Sequence, residues 1–235
     1  MPLCGGSKTV QRKLVLLGDG ACGKTSLLNV FTRGYFPTVY EPTVFENYVH
    51  DIFIDNTHIE LSLWDTAGQE EFDRLRSLSY DDTHAIMLCF SVDSRDSLEN
   101  VESKWVGEIL ENCPGVELVL VALKCDLRPS PGEEGEATGA EGEGGEAKSM
   151  LTYQQGLEVA KRIQALRYLG MSGTLSFFLQ AWSWGYCRQA GANELRTECS
   201  AMKNRGVNEA FTEAARVALK VQPKKGSEDK GCTVM

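Results

Sequence analysis

The 235 residues carry 33 Asp and Glu against 24 Lys and Arg, a formal net charge of −9, so the chain lacks the basic excess with which nucleic-acid binders neutralise phosphates. With 42% hydrophobic and 24% charged residues, the composition is that of one globular domain with added segments, not of a disordered or membrane-spanning chain. The eight cysteines show no paired metal-ligand spacing, and with no secretory leader read at the start of the chain reduced thiols are expected.

Residues 1–10 read as a flexible segment, 11–221 as the folded domain and 222–235 as a polar tail. Apolar runs at 13–17, 85–92 and 118–124 alternate with helical periodicity at 24–32, 94–112, 153–164 and 207–221, a pattern that predicts an α/β fold with a mostly parallel, helix-covered sheet. Two further runs, 48–54 and 59–64, are joined through Asp55-Asn56-Thr57. Asp and Asn favour tight turns, so these two strands are expected as an antiparallel hairpin at one edge.

Two stretches stand apart from this alternation. Residues 129–150 hold six Glu and six Gly with almost no apolar side chain, too little to repay ordering, and read as a mobile acidic loop. Residues 170–197 cluster Phe177, Phe178, Trp182, Trp184 and Tyr186 without helical or strand period; the apolar part is too short for a membrane span of roughly 20 residues.

The strongest chemical signal is GDGACGKT at 18–25, set between an apolar strand and a helix. In this context Gly18, Asp19, Gly20, Ala21, Cys22 and Gly23 form a loop whose backbone N–H groups can approach a phosphate, and the helix that opens with Lys24, Thr25 and Ser26 adds its positive end. Lys24 can reach the β- and γ-phosphates, and Thr25 can ligate Mg²⁺. DTAGQE at 65–70 follows a strand and offers Asp65 toward the cation, the Gly68 N–H toward a γ-phosphate, and Gln69 to orient an attacking water.

Together with YEPTVFENY at 40–48, these motifs resemble the Rho family of Ras-like GTPases, most closely a fungal type, over about 11–128 and 198–219. The resemblance implies a P-loop NTPase fold (a Ras-like G domain), its sheet six-stranded and mostly parallel with one antiparallel edge strand and helices on both faces. It implies a molecular switch that binds GTP or GDP with Mg²⁺ and hydrolyses GTP slowly. It further implies that Thr43 gives its hydroxyl to Mg²⁺ and its N–H to the γ-phosphate, that Tyr40 covers the phosphates, that Phe36 packs edge-on against the base, and that Trp64 helps select the exchange factor. The metal set is then Thr25, Thr43 and Asp65, and the catalytic set Lys24, Thr43, Gly68 and Gln69.

LKCD at 123–126 places a carboxylate, Asp126, where it can accept from the N1–H and exocyclic amine of guanine, with the Lys124 stem along the base plane. Leu123 stands where the family has Asn or Thr, so one tie to the phosphate loop is missing and weaker nucleotide binding is expected. In Cys199-Ser200-Ala201 the resemblance gives the Ala201 N–H to the guanine O6, with Ser200 beside it; Met202 replaces the family's Lys.

No Arg is placed to act as a finger within the chain. Arg74 and Arg76 are expected in solvent or at a partner surface, so an activating protein is expected to supply the missing charge. The resemblance further implies an exchange factor, a dissociation inhibitor, and effectors that read 69–80 and the segment from Val44 to Tyr48. Cys232-Thr233-Val234-Met235 fits a farnesylation box, and because one lipid holds weakly, Cys4 is read as a second, acylated anchor to the cytoplasmic face of the plasma membrane. Polarised growth, secretion and actin organisation follow from resemblance alone.

In the family the strand RYL would run directly into ECSA, yet 28 residues separate Leu169 from Glu198. The reading is a translated, unspliced intron, since Gly170-Met171-Ser172, Ala192-Asn193 and Thr197-Glu198 can be encoded by donor-like, branch-point-like and acceptor-like sequences; the other reading is a genuine lineage-specific lobe whose aromatic cluster would be an exposed apolar patch. The alternative function is therefore a nucleotide-binding-impaired product of an unspliced message. A nucleotide-locked module that hardly hydrolyses is the other rival, disfavoured by the presence of Gly20 and Gln69.

Overall fold

The computed structural model describes residues 9–39, 41–128, 150–169 and 199–221. Tyr40, Cys4, Cys232, the tail and residues 170–197, together with nearly all of the acidic loop, lie outside these described residues.

Six strands form one sheet in the order β2-β3-β1-β4-β5-β6. They are β1 (Val10–Leu17), β2 (Phe45–Ile54), β3 (Thr57–Thr66), β4 (Ala85–Ser91), β5 (Glu117–Leu123) and β6 (Arg167–Leu169). Among the strands of the described residues, only the β2–β3 pair is antiparallel. Its turn is tighter than expected: Ile54 pairs directly with Thr57, leaving Asp55 and Asn56 at φ 48° and 61°, the two-residue geometry whose twist matches paired strands.

Every residue of β4 is buried, as its unbroken apolar run requires of a strand covered on both faces. One face packs Leu14, Leu16 and Met87 under α1 (Lys24–Arg33) and α6 (Val207–Lys220). The other packs Val15, Leu88 and Phe90 with residues of α3 (Arg95–Asn100), α4 (Val106–Asn112) and α5 (Tyr153–Arg162). Helices on both faces with one antiparallel edge pair match the expected architecture.

The expected single helix at 94–112 is interrupted. Between α3 and α4 lies a π turn, Val101–Trp105, in which the Val106 N–H reaches back five residues to the Val101 carbonyl. The wider turn brings positions five apart onto one side of the helix, so Asn100 and Trp105 face the same neighbour. Hydrophobic periodicity does not report such a local change of pitch.

Candidate functional site

The site is built where β1, β3 and β5 end. Leu17 closes β1, the loop 18–23 follows, and α1 begins after Gly23, which sits at φ 108° in backbone space that other residues rarely enter. No side chain caps α1, so its first N–H groups are left for an anion. The Lys24 side chain is folded back into the loop, its ammonium donating to the carbonyls of Gly18 at 2.7 Å and Asp19 at 2.9 Å.

Above the loop, a Cβ on Gly68 would lie 2.2 Å from the Gly20 nitrogen and 2.5 Å from the Gly18 oxygen. Only glycine lets the DTAG turn come so close. A Cβ on Gly20 would stand 3.5 Å from the Gln69 amide, so the loop and the Gln69 side chain are near neighbours. The hydroxyls of Thr25 and Thr43 lie 2.5 Å apart, which joins the first turn of α1 to the segment before β2.

Asp65, near the end of β3, is fully buried, and neither carboxylate oxygen meets a donor in full hydrogen-bonding geometry. Burial pushes its carboxyl up to about 6, with the Thr25 hydroxyl and the Lys24 ammonium pulling back only in part. An orphaned buried carboxylate costs energy unless a cation or donor meets it. Two adjacent hydroxyls and one carboxylate are the hard oxygen donors that Mg²⁺ takes alongside waters and substrate phosphates. The residues present therefore fit that ion.

At the end of β5, Gly23, Ser26, Phe36, Lys124, Asp126 and Ala201 line, with three neighbours, a cavity of about 220 Å³. Gly23, Ser26, Phe36 and Lys124 also line a cleft of about 900 Å³ that runs past Thr25, Thr43, Gly68 and Gln69. The two spaces adjoin along these shared walls. Ser200 donates to Asp126 Oδ1 at 2.5 Å, which fixes the carboxylate, and the Cys199 N–H bonds the Ala122 carbonyl at 3.3 Å, which holds the third loop against β5.

One partner in this region was not legible in the sequence, and two residues singled out there take their places. Asp93, after β4, approaches the Lys124 ammonium at 3.5 Å and steadies a side chain that leaves a backbone at φ 59°. Leu123 is buried, with its Cδ1 3.7 Å from where a Cβ on Gly23 would stand, so apolar packing replaces the polar tie. Met202 is exposed and lines the smaller cavity.

Arg76 corrects an expectation. It is 1% exposed, enclosed by Glu108, Asp73 and the ring of Trp105, while Arg74 does lie in solvent. Ser79 and Tyr80 are buried too, so of the segment 69–80 the outward apolar side chains are Leu75 and Leu78. Proximity in space, which pairs Arg76 with a residue 32 positions away, has no local signature.

A family model described as Ras family matches residues 13–181. The chain belongs to the Ras family. Within it the likeness is to Rho proteins: it is 58% identical to a GTP-binding protein RHO3 of Eremothecium gossypii over the whole of both chains. It is 55% identical to the GTP-binding protein RHO3 of Saccharomyces cerevisiae over 99% of each. Against the GTP-binding protein rho3 of Schizosaccharomyces pombe the identity is 58% over 97% of this chain and 94% of that one. This Ras-family member is a small GTPase of the Rho type, a switch whose class works with regulators and effectors.

Proposed function

We propose that the chain binds Mg·GTP across the two adjoining spaces, hydrolyses it slowly and reports its nucleotide state to effectors at a membrane. The observation that carries this reading is the buried Asp65 beside the paired Thr25 and Thr43 hydroxyls, which line the larger cleft, with Asp126 in the smaller cavity that shares its walls. Guanine would sit on Asp126, held by two hydrogen bonds, with the Lys124 stem and Phe36 against its faces and the Ala201 N–H at O6.

The phosphates would lie on the loop 18–25, and Lys24 would exchange its two loop carbonyls for β- and γ-oxygens. When bound to Thr25, Thr43 and the Asp65 side, Mg²⁺ would neutralise charge on the β- and γ-phosphates. Gln69 would orient the water in line with the departing β-phosphate oxygen, and the Gly68 and Thr43 N–H groups would stabilise the transferred group. Loss of the γ-phosphate removes a partner of both segments, which then relax.

The base loop favours this reading over a binding-impaired product, because Ser200 and Cys199 are seated on β5 and Asp126 as recognition of guanine requires. Membrane attachment through Cys232 and Cys4 rests on the sequence. No helix among the described residues is long and apolar enough to cross a membrane, so a lipid would be the anchor.

The test is nucleotide content and single-turnover GTP hydrolysis of the purified 235-residue chain beside one lacking 170–197. Slow hydrolysis by both supports a working switch with a tolerated insertion. Hydrolysis by the shortened chain alone means that the insertion disables it, and hydrolysis by neither refutes the proposal.

A further inference from the structure

We infer that Arg76 is a positioning residue for GTP hydrolysis, acting through the backbone of Gln69, and that Trp105 ties it to the phosphate loop. The inference rests on the reading of Gln69 as the residue that orients water.

A guanidinium has five N–H donors in a planar fork, and all five of Arg76 are engaged. Nε donates to Glu108 Oε1 at 2.6 Å. Nη2 donates to Glu108 Oε2 at 2.9 Å and also to Asp73. Nη1 donates to the Ala67 carbonyl at 2.8 Å and to the Gln69 carbonyl at 3.3 Å. The side chain thus holds the backbone on both sides of Gly68, the residue that touches the phosphate loop.

The guanidinium lies 4.8 Å from the centre of the Trp105 ring. From its other side the Trp105 Nε1–H donates to Asp19 Oδ1 at 2.8 Å, and Asn100 Nδ2 donates to Asp19 Oδ2 at the same distance. The π turn is what lets both reach one carboxylate. The Asp19 carbonyl in turn accepts from Lys24. One chain of contacts therefore runs from Lys24 through Asp19, Trp105 and Arg76 to the carbonyl of Gln69, and Tyr80 steadies Glu108 with a hydrogen bond of 2.6 Å.

Neither Arg76 nor Trp105 lines the space for the base or the larger cleft, so loss of Arg76 is read in hydrolysis and not in retention of nucleotide. Lysine at 76 keeps the charge but has three donors on a point and cannot serve Glu108, Asp73 and two carbonyls together. A water held even 1 Å out of line is enough to slow transfer by about a hundredfold.

The experiment compares single-turnover GTP hydrolysis and GDP release for the full chain and for Arg76→Lys, Gln69→Ala and the double variant, with Glu108→Gln as a second route to the same fork. Arg76→Lys is expected to slow hydrolysis about ten- to a hundredfold while GDP release changes less than about threefold, and the double variant is expected to match Gln69→Ala alone. A wild-type rate in both Arg76→Lys and Glu108→Gln overturns the inference. So does release that accelerates in step with lost hydrolysis, or a double variant slower than Gln69→Ala. Should Arg76→Lys fail to fold, Glu108→Gln carries the same comparison. Absence of hydrolysis in the unaltered chain is a different failure, that of the reading on which this one rests.

Discussion

At Gly20 a single added carbon would stand 3.5 Å from the Gln69 amide, ordinary contact for one atom and too little room for the two further methyls of valine. Gly20→Val is expected to displace that amide and slow single-turnover hydrolysis by about tenfold or more, with GDP release little changed. Asp126→Asn replaces the carboxylate that Ser200 holds in place with a neutral amide that opposes one of guanine's donors with its own. Charge-assisted hydrogen bonds contribute about 1.5–3 kcal/mol, so GTP affinity measured by titration should fall roughly ten- to a hundredfold. The two substitutions separate the ends of the cleft, one altering the chemical step and the other the binding of base.

Among the elements, α5 tests stability alone. Thr152 caps it, accepting from the Gln155 N–H, while the Gln155 side chain reaches back to the Thr152 N–H, a reciprocal arrangement that satisfies two otherwise orphaned donors. Thr152→Ala is expected to cost about 1 kcal/mol and to lower the melting midpoint of the GDP-bound chain by about 2–4 °C, leaving hydrolysis unchanged because α5 lines neither cavity. The elements legible from sequence were those whose signals are local: the fully buried β4, the Asp-Asn turn, and the phosphate loop between a strand and a helix. The π turn was not legible, because Val101–Trp105 keeps its apolar spacing whichever hydrogen-bond pattern the backbone adopts. Nor was the burial of Arg76, since the sequence shows its charge but not the Glu108 and Trp105 that a separate helix brings to it. Asp19 was read as part of the phosphate loop, while the partners of its carboxylate, 81 and 86 positions away, carry no mark that points back to it.

For the molecule as a whole, the site is assembled at one edge from the ends of three strands, so no single segment binds the nucleotide unaided. Chelating the divalent cation should make this cooperation visible. With Asp65 buried at the proposed phosphate site and no cation to offset it, GDP release measured with a fluorescent nucleotide analogue is expected to accelerate by about tenfold or more, a change of 1.4 kcal/mol or above. An unchanged release rate would remove Asp65, Thr25 and Thr43 from the proposed cation site.

The uncapped start of α1 bears on how long such a protein lasts. A helix end with no side-chain cap and a buried carboxylate without an aligned donor are both costs that bound nucleotide and cation would relieve. Nucleotide is thus a folding ligand as well as a signal, and at a free concentration a hundred times its dissociation constant it adds about 2.7 kcal/mol to stability. A cell short of guanine nucleotides would then not merely silence this switch but expose it to proteases, and its abundance would follow the supply of the molecule it reads.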